Sequence, residues 1–309
     1  MPTPDLPQQF LPFNGWVSEC SFHDDNTSLD ISYSESIQHN HKGIVVILPG
    51  LSEFTEKYIE TTHDLNNKGY SVYIIDWLYQ GRSARLESNP HKRHSKGFDV
   101  DVKNLYYFIT KIIKPDAPLF FLGHSMGAHI GLRFLTQFSH LIKAASFSAP
   151  MLGIRDLRHW QPLAKMITSL FQNWTTLYVP GGHDWKASSR KSDGTDIFSS
   201  DPIRDQLHNA WSLSDKALQI GSPTMTWLYQ AICSMEYLQQ PEVLKSISIP
   251  CYIASAQEEE IVDNQSIAHA VKHLPNVEHE TLPNAKHEIL METNDIRDHF
   301  LTKTISIFS

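Results

Sequence analysis

The chain reads Gly123-His124-Ser125-Met126-Gly127 between an apolar run, Pro-Leu-Phe-Phe-Leu at 118–122, and a helical pattern that begins at Ala128. This is the G-x-S-x-G pattern, in which a serine occupies a tight turn from a β-strand to an α-helix. Glycine on each side of Ser125 relieves the crowding of such a turn. The N-terminus of the following helix offers free N–H groups to a developing oxyanion. The pattern therefore predicts a nucleophilic serine at position 125.

Strand and helix patterns alternate along most of the chain around this turn. Continuous apolar or β-branched runs predict buried strands at Gly43–Leu48 and at residues 70–77, 118–123, 143–149, 249–255 and 277–282. Helical periods fall between and after them, at residues 56–68, 100–114, 126–140, 262–274 and near the C-terminus. A hairpin is expected before them, at residues 16–34. This alternation predicts an α/β fold with a parallel sheet that helices cover on both faces.

The alternation stops between residues 153 and 242, which predicts an insertion between two strands of the sheet. This interval contains five of the seven tryptophans and a polar stretch with glycine and serine at 181–200. Apolar residues recur there at the spacing of an amphipathic helix: Leu163, Met166, Ile167, Leu170, Phe171 and Trp174. Such a stripe either packs onto the sheet domain or lines a channel for an apolar ligand, and one helix can do both with different edges. With the basic residues nearby, the stripe is also suited to rest on an anionic membrane surface.

A serine hydroxyl is a weak nucleophile, so it needs a base and a carboxylate that orients the base. His287 follows the last predicted strand, and it completes the chain order serine, acid, histidine. The acid is expected just after the strand at 249–255, where three consecutive glutamates follow: Glu258, Glu259 and Glu260. The residues alone leave the choice among these three open. His91 and His94 lie in a basic cluster, which favours a solvated turn over a catalytic role.

Composition and charge exclude several classes of protein. The 309 residues are 41% hydrophobic and 19% charged, which is typical of a globular protein with a large core. The net charge of −8 and the pI near 6.1 argue against nucleic acid as the main partner. Three widely spaced cysteines without a C-x-x-C pair predict a reducing compartment and neither a disulfide scaffold nor a zinc finger. No H-E-x-x-H motif occurs, so we expect no metal.

The hydropathy pattern predicts a protein without a membrane span. Residues 1–7 have neither the basic nor the apolar region of a secretory signal. The longest stretches without charged residues, 117–132 and 217–235, are interrupted by polar residues and do not match a spanning helix of about 20 apolar residues. We therefore expect a cytoplasmic protein, and a peripheral position at the inner membrane stays compatible with the sequence.

Further motifs accompany the serine turn: Leu48-Pro-Gly-Leu-Ser-Glu-Phe-Thr-Glu-Lys-Tyr58, Asp76-Trp-Leu-Tyr-Gln-Gly-Arg-Ser83, Ser148-Ala-Pro-Met-Leu-Gly153, Gly221-Ser-Pro-Thr-Met-Thr-Trp227, residues 257–264 and Lys286-His-Glu-Ile-Leu290. Together they resemble the serine α/β-hydrolases of the monoglyceride-lipase-like group, and most closely the bacterial lysophospholipases of the PldB type. The resemblance extends from about residue 43 to residue 308. It implies an α/β-hydrolase core with an eight-stranded, mostly parallel sheet, formed by residues 1–152 and 243–309. Residues 153–242 would form a helical cap after the sixth strand.

The resemblance also implies roles for particular residues. It assigns the acid to Glu259, which precedes the segment Glu260-Ile-Val-Asp263. It assigns the oxyanion donors to the backbone N–H groups of Leu51 and Met126. Tyr79 departs from the family, which has a glycine at this position, so the local backbone shape is an open question at this stage.

The implied function is that of a lysophospholipase, which hydrolyses the acyl ester of a lysophospholipid and releases a fatty acid without a cofactor. Four residues of the apolar stripe are expected to bind the lipid's acyl chain: Leu163, Ile167, Leu170 and Phe171. A monoacylglycerol lipase or a broader carboxylesterase is the alternative among enzymes. A non-catalytic receptor of the same fold is the alternative from another class, although a nucleophile, a base and suitable carboxylates are all present.

Overall fold

A single β-sheet runs through the computed structural model, which describes residues 3–24, 27–171 and 176–309. Within the described residues the sheet has eight strands: β1 Trp16–Asp24, β2 Leu29–Ser36, β3 Gly43–Leu48, β4 Tyr70–Ile75, β5 Leu119–His124, β6 Ala144–Ser148, β7 Cys251–Ala256 and β8 Val277–Leu282. Their spatial order is β1-β2-β4-β3-β5-β6-β7-β8. β2 pairs with β1 and with β4 in antiparallel orientation, and the other neighbours pair in parallel. The expected eight-stranded, mostly parallel sheet is confirmed.

The central strands are buried on both faces because their sequences are continuous apolar runs. Every residue of β3, β4, β5 and β6 is buried. Val45 on β3 lies between Val72 on β4 and Phe120 on β5 in the sheet register. Burial of one such side chain contributes about 1.5–3 kcal/mol, so these strands form the centre of the hydrophobic core. Their carboxyl ends are thereby fixed at one edge of the sheet.

Helices flank this sheet and connect its parallel strands. The helices of the described residues are α1 Ile59–Asn67, α2 Phe98–Tyr107, α3 Ser125–Phe138, α4 Gln161–Leu170, α5 Leu207–Ser214, α6 Met225–Leu238, α7 Pro241–Lys245, α8 Asn264–Val271 and α9 Asn294–Phe308. α1 packs against β4, α3 against β5, and α9 against β6 and β7. None of the helices in these described ranges combines the length and the apolar character needed to cross a membrane.

The expected insertion lies between β6 and β7, where α4, α5, α6 and α7 interrupt the alternation of strands and helices. α6 packs against α4 and also contacts α2 and α3, so the insertion is joined to the sheet domain through this helix. The polar stretch at 181–200 contains no α-helix among its residues, all of which are described, and it leads from the region after α4 to α5. The insertion after the sixth strand thus has the helical character that the sequence predicts.

The apolar stripe of α4 lies at the surface, which corrects its interpretation as core packing or as the lining of a channel. Its large apolar side chains are exposed: Leu163, Met166, Ile167, Leu170 and Phe171. The helix contacts α6 with another side, on which Thr168 is buried. A helical period identifies an apolar face, but it does not show which neighbour covers that face. Trp174, the last residue of the predicted stripe, lies outside the described residues.

The sequence predicts that the basic cluster with His91 and His94 is a solvated turn, but the structure buries part of it. Arg93 and His94 are buried. Arg93 donates from Nη1 to the carbonyl of Leu78 at 2.9 Å and from Nε to Oε1 of Gln80 at 2.8 Å. Burial, aided by the charge of Arg93, lowers the pKa of His94 to about 4. The cluster is buried because backbone and side-chain oxygens satisfy its donors, which its charge pattern does not show.

Candidate active site

The turn at Ser125 has the geometry that the two flanking glycines predict. β5 ends at His124, and α3 begins at Ser125, whose φ angle is 49°. A Cβ atom on Gly127 would lie 2.0 Å from the carbonyl oxygen of Leu48, and one on Gly123 would lie 2.9 Å from Cα of Ala128. Any larger residue at these positions would therefore displace backbone. The close approach lets β5 turn directly into α3 and holds Ser125 in a left-handed conformation at the carboxyl edge of the sheet.

His287 lies between Ser125 and Glu259 and makes hydrogen bonds to both. Its Nε2 is 3.1 Å from Oγ of Ser125, and its Nδ1 is 2.9 and 3.0 Å from the two carboxylate oxygens of Glu259. A carboxylate only accepts, so Nδ1 carries the proton and Nε2 accepts the serine hydroxyl. All three side chains are buried. The residues meet because β5, β7 and β8 end at the same edge of the sheet, where the following loops lie close together.

Glu259 is the member of the glutamate run that contacts His287, while Glu258 and Glu260 are exposed. Its Oε1 also accepts the backbone N–H groups of Ile261 at 2.8 Å and Val262 at 3.1 Å. Burial alone would raise the pKa of Glu259, but the charge and hydrogen bond of His287 and the two backbone donors hold the pKa below its ordinary value. Glu259 is thus an oriented, ionised carboxylate beside the imidazole.

Leu51, the residue expected to donate to an oxyanion, lies in a loop that is fixed by its neighbours. The indole Nε1 of Trp77 donates to the carbonyl of Pro49 at 2.8 Å. Nε2 of Gln80 donates to the carbonyls of Gly50 at 2.9 Å and Glu53 at 3.0 Å. These bonds hold the loop beside the serine turn, and Leu51 and Ser125 line the same cavity.

Tyr79, which departs from the family glycine, has a φ angle of 67°. This is the left-handed region, which glycine adopts more readily than any other residue. The residue next to it is Gln80, which fixes the loop of Leu51. The structure therefore keeps the backbone shape that the family glycine favours, and the tyrosine side chain is buried and packs at 5.1 Å between ring centroids against His94.

A buried ionic cluster lies beside the base and is absent from the sequence prediction. Nζ of Lys57 lies 2.7 Å from Oε1 of Glu53 and 2.6 Å from Oε2 of Glu288, and the lysine side chain is fully buried. Arg190, from the insertion, forms a 2.9 Å ion pair with Oε1 of Glu288. Burial opposes the ionisation of Glu288, but Arg190 and Lys57 outweigh it and hold its pKa well below the usual range. The i, i+4 spacing of Glu53 and Lys57 is not by itself a sign of burial, so the sequence did not predict this cluster.

His124 is a second histidine beside the base, and it is uncharged at neutral pH. Burial lowers its pKa to about 4, and its ring centroid lies 4.8 Å from that of His287. Its Nδ1 is 2.9 Å from Oγ of Ser148. Because His124 is neutral, it adds no positive charge next to an imidazolium that forms on His287.

A cavity of about 210 Å³ opens beside Ser125 and His287, and its walls are mainly apolar. Its apolar lining residues come from the loops after β3, β6 and β7 and from the insertion: Leu51, Met151, Ile154, Phe198, Trp227, Ile261 and Val262. The four residues expected to bind an acyl chain, Leu163, Ile167, Leu170 and Phe171, do not line it, and between 37% and 72% of each is exposed. That expectation is therefore corrected. Met151, Ile154 and Trp227 lie in or beside the motifs at 148–153 and 221–227. These motifs are the feature of the sequence that could have identified them as cavity residues.

Among the described residues, no three or more histidine, cysteine, aspartate or glutamate side chains form a group that could hold a metal ion. The expectation that the protein needs neither a metal nor a cofactor stays a prediction. The chemistry available at the site is that of a hydroxyl nucleophile, an imidazole base and a carboxylate.

An α/β-hydrolase sheet with a serine at the strand-to-helix turn, a histidine base and a carboxylate defines a serine hydrolase. The sequence pattern of one family, described as serine aminopeptidase S33, matches residues 39–294. The chain belongs to this family of α/β-hydrolases.

Similar proteins have names that refer to lipid esters. The chain is 28% identical over 292 residues to the probable lysophospholipase L2 of Haemophilus influenzae, covering 91% of this chain and 88% of the relative. It is 29% identical over 291 residues to lysophospholipase L2 of Escherichia coli K12, covering 88% of this chain and 82% of the relative. A soluble variant of monoglyceride lipase from Saccharomyces cerevisiae, solved with a substrate analogue, superposes with a TM-score of 0.71 at 19% identity and 94% coverage of both chains. At 19% identity, the similarity to the monoglyceride lipase structure supports the fold alone.

Proposed function

We propose that the protein is a lysophospholipase, which hydrolyses the single acyl ester of a lysophospholipid and releases a fatty acid. The observation that supports this most directly is the pair of contacts of His287, 3.1 Å to Ser125 and 2.9 Å to Glu259, beside an apolar cavity. The similarity to the lysophospholipases of two bacteria along most of the chain supports the choice of substrate. A lipid ester suits an apolar cavity that ends at a nucleophile.

In the proposed reaction, Ser125 attacks the ester carbonyl while His287 takes the hydroxyl proton at Nε2. Glu259 keeps the proton of His287 on Nδ1 and stabilises the imidazolium. The imidazolium then protonates the leaving alcohol, and the acyl group stays on Ser125. A water molecule, deprotonated by His287, attacks the acyl-enzyme and releases the fatty acid.

The backbone N–H groups of Leu51 and Met126 are proposed to bind the oxyanion. Met126 follows the nucleophile at the start of α3, where N–H groups lack partners within the helix. Leu51 follows Gly50, whose carbonyl and N–H are both hydrogen-bonded to side chains. Two preorganised donors of this kind stabilise a tetrahedral intermediate without reorganisation during the reaction.

We also infer that residues 153–242 act as a cap on a core formed by residues 1–152 and 243–309. Ile154, Phe198 and Trp227 from this interval line the cavity next to Ser125 together with Met151 and Val262 from the core. The start of the acyl chain would therefore contact both units. These residues replace the α4 stripe as the proposed acyl-binding residues.

The exposed apolar face of α4 is proposed to contact a lipid surface, which is where lysophospholipids reside. Met166 and Leu170 are 57% and 72% exposed, and with the neighbouring apolar side chains of α4 they form an apolar surface patch. Lys165, on the same helix, is partly exposed and forms an ion pair with Glu236. An amphipathic helix of this kind can lie in the interface of a membrane with its apolar side toward the acyl chains.

Two measurements separate this proposal from its alternatives. Rates on lysophosphatidylethanolamine and on monoolein, which share an oleoyl ester, distinguish a lysophospholipase from a monoacylglycerol lipase, with Ser125→Ala as the inactive control. Faster hydrolysis of monoolein would favour the monoacylglycerol lipase. Labelling by a fluorophosphonate probe distinguishes an enzyme from a receptor, because only an activated serine reacts. Absence of labelling in the wild type would contradict both enzymatic proposals.

A further inference from the structure

We propose that a second chamber beside the catalytic cavity binds the phosphate of the substrate's head group, with Arg190 as its anion-binding residue. This inference rests on the proposed lysophospholipase function, and it names a binding site and a specificity-determining residue for it. The chamber has a volume of about 340 Å³. It shares four wall residues with the catalytic cavity: Leu51, Arg190, Phe198 and Ile261. A ligand can therefore extend from Ser125 past Arg190 into this chamber.

Arg190 is positioned rigidly, and part of its guanidinium has no partner. Nη2 donates to Oε1 of Glu288 at 2.9 Å, and the Cζ atom lies 3.6 Å from the ring centroid of Phe198. Nη1 is buried and has no hydrogen-bond partner among the described residues. A buried donor without a partner is unfavourable, and a bound acceptor would offset this cost. The planar fork of arginine matches the oxygens of a phosphate, so an anion is the acceptor that suits it best.

His208 and Asn209 also line this chamber, and each has one polar atom without a hydrogen-bond partner among the described residues. Nδ1 of His208 and Oδ1 of Asn209 are buried without hydrogen-bond partners among the described residues. His208 is only 4% exposed, and burial, with the nearby charges of Arg190 and Lys57, lowers its pKa well below its ordinary value. It is thus a neutral imidazole. Neutral donors and acceptors of this kind suit hydroxyl and ester oxygens next to a phosphate.

The charge around the chamber favours an anion. Lys186 and Arg190 line it, and none of its described lining residues is an aspartate or glutamate. The carboxylate of Glu288 lines the catalytic cavity instead, where it is paired with Lys57 and Arg190. Lys57 is also paired with Glu53, so this cluster balances two carboxylates with two cations, and Lys186 adds a further positive charge at the chamber wall.

The arrangement of the two cavities follows the chemistry of a lysophospholipid. Its acyl ester and its phosphate are separated only by the glycerol backbone, so a phosphate site must adjoin the nucleophile. The catalytic cavity is mainly apolar and suits the acyl chain, whereas the chamber beyond Arg190 adds Lys186 and neutral polar side chains such as His208 and Asn209 to its walls. A monoacylglycerol has no phosphate and gains nothing from Arg190. Arg190 would thereby select lysophospholipids over uncharged monoacylglycerols.

The test compares esters that share an acyl chain. We expect Arg190→Gln to lower kcat/KM for oleoyl-lysophosphatidylethanolamine about 10- to 100-fold more than kcat/KM for monoolein, the effect of one hydrogen bond to a charged group. Any loss from breaking the ion pair with Glu288 is common to both lipids and cancels in this ratio. Arg190→Lys should give a smaller loss, because it keeps the charge and loses the fork. Lys186→Gln, which removes an exposed cation from the same chamber without breaking a buried ion pair, should show a weaker loss with the same selectivity. Lys191→Gln is the matched control in the same segment, outside the chamber, and should behave as the wild type.

Equal losses on both lipids and on p-nitrophenyl acetate in Arg190→Gln would mean that Arg190 acts on His287 through Glu288, and would overturn the proposal. The proposal would also be overturned if neither Arg190→Gln nor Lys186→Gln changed the ratio of the two lipid rates.

Inhibition by small phosphates tests the chamber independently of lipid turnover. We expect sn-glycerol 3-phosphate to inhibit hydrolysis of p-nitrophenyl acetate by the wild type and Lys191→Gln, and to lose this inhibition in Arg190→Gln. Glycerol should not inhibit, and inorganic phosphate should inhibit more weakly than glycerol 3-phosphate. Equal inhibition by both phosphates would indicate a free-anion site and would overturn the head-group assignment, as would no inhibition by either. If the wild type failed to hydrolyse any lysophospholipid while this Arg190-dependent inhibition persisted, the proposed function would fail and the phosphate site would stand.

Discussion

The carboxylate of Glu53 accepts a hydrogen bond from the backbone N–H of Gly50, with 2.5 Å between Oε2 and N. The same carboxylate accepts from the hydroxyl of Tyr58 at 2.5 Å and from Nζ of Lys57 at 2.7 Å. Burial alone would raise the pKa of Glu53, but the charge and hydrogen bond of Lys57 keep the pKa below its usual value. An ionised, fully engaged carboxylate thus fixes Gly50, the residue before the proposed oxyanion donor Leu51.

Glu53→Gln is expected to lower kcat about 10-fold or more on p-nitrophenyl acetate, with a smaller change in KM. The glutamine amide would turn an NH₂ group toward one of the three donors around Glu53, so Gly50 or Lys57 would have to move. A displaced oxyanion donor weakens binding of the transition state more than that of the substrate. Steady-state kinetics on folded protein measures this effect, and Glu87→Gln, at an exposed site, is the control. A wild-type kcat in Glu53→Gln would show that the loop does not depend on this carboxylate.

Sequence reasoning was most successful where one local pattern determines the structure. The continuous β-branched run of β3 predicts its bounds, Gly43–Leu48, because a strand that is covered on both faces needs such a run. The glycines around Ser125 likewise predict the sharp turn, because only glycine fits against Leu48 and Ala128. Both features depend on residues that are close in sequence.

Features that depend on distant contacts could not be predicted from the residues. Glu258, Glu259 and Glu260 are chemically alike, and only the approach of His287 distinguishes the middle one. Arg190 is an ordinary cation in a polar stretch until the fold brings it to Glu288, 98 residues further along the chain. The apolar face of α4 was recognised, but its neighbours depend on how the insertion packs.

Ser125→Ala and His287→Ala are each expected to lower kcat by about a thousandfold or more, and the double variant should lose little beyond either single one. The hydroxyl and the imidazole act as one unit across the 3.1 Å contact, so removing either one disables both. Single-turnover and steady-state rates on a soluble ester measure the losses. His287→Ala with more than about a tenth of the wild-type rate would contradict the assignment of the base, because loss of a general base costs about 100-fold or more.

Glu259→Gln is expected to lower kcat about 100-fold or more, while Glu258→Gln and Glu260→Gln should retain nearly the wild-type rate. Only Glu259 contacts Nδ1 of His287, and a neutral amide there neither fixes the tautomer nor stabilises the imidazolium. The two exposed neighbours make matched controls, because they carry the same change in the same loop. Similar small effects at all three positions would mean that another acid orients His287.

His129 is expected to make the protein less stable as the pH falls from about 6.5 toward 3. Burial, aided by Arg133, lowers the pKa of His129 to about 3, and its ring is bonded to the carbonyl of Met151 and the hydroxyl of Ser234. Its pKa in the unfolded chain is about 6.5, so between these values the unfolded state binds the extra proton. Stability present above pH 6.5 is therefore lost on acidification, by up to about 1.4 kcal/mol per pH unit for this group.

Urea unfolding between pH 7 and pH 5 measures this loss in the wild type and in His129→Gln. The variant is expected to be less stable at pH 7 but to lose less stability on acidification. The slope of its unfolding free energy against pH should correspond to about one proton fewer than in the wild type. His140→Gln, at an exposed histidine, should keep the wild-type slope. An unchanged slope in His129→Gln would show that this imidazole is not held neutral in the folded protein.

Glutamate substitutions on the exposed face of α4 test the proposed contact with lipid. The double variant Met166→Glu with Leu170→Glu is expected to bind vesicles of phosphatidylethanolamine and phosphatidylglycerol about 10-fold or more weakly, because transfer of one such side chain from water contributes about 1.5–3 kcal/mol. Hydrolysis of lysophosphatidylethanolamine in these vesicles should fall in parallel, whereas p-nitrophenyl acetate should react at the wild-type rate, since α4 does not line the catalytic cavity. Leu213→Glu, on α5, changes a leucine that is also 63% exposed and serves as the control in a vesicle sedimentation assay. Equal vesicle binding by the wild type and the α4 variant would exclude this face as the membrane contact, and a parallel loss on p-nitrophenyl acetate would mean that the substitutions disturb the fold of the insertion instead.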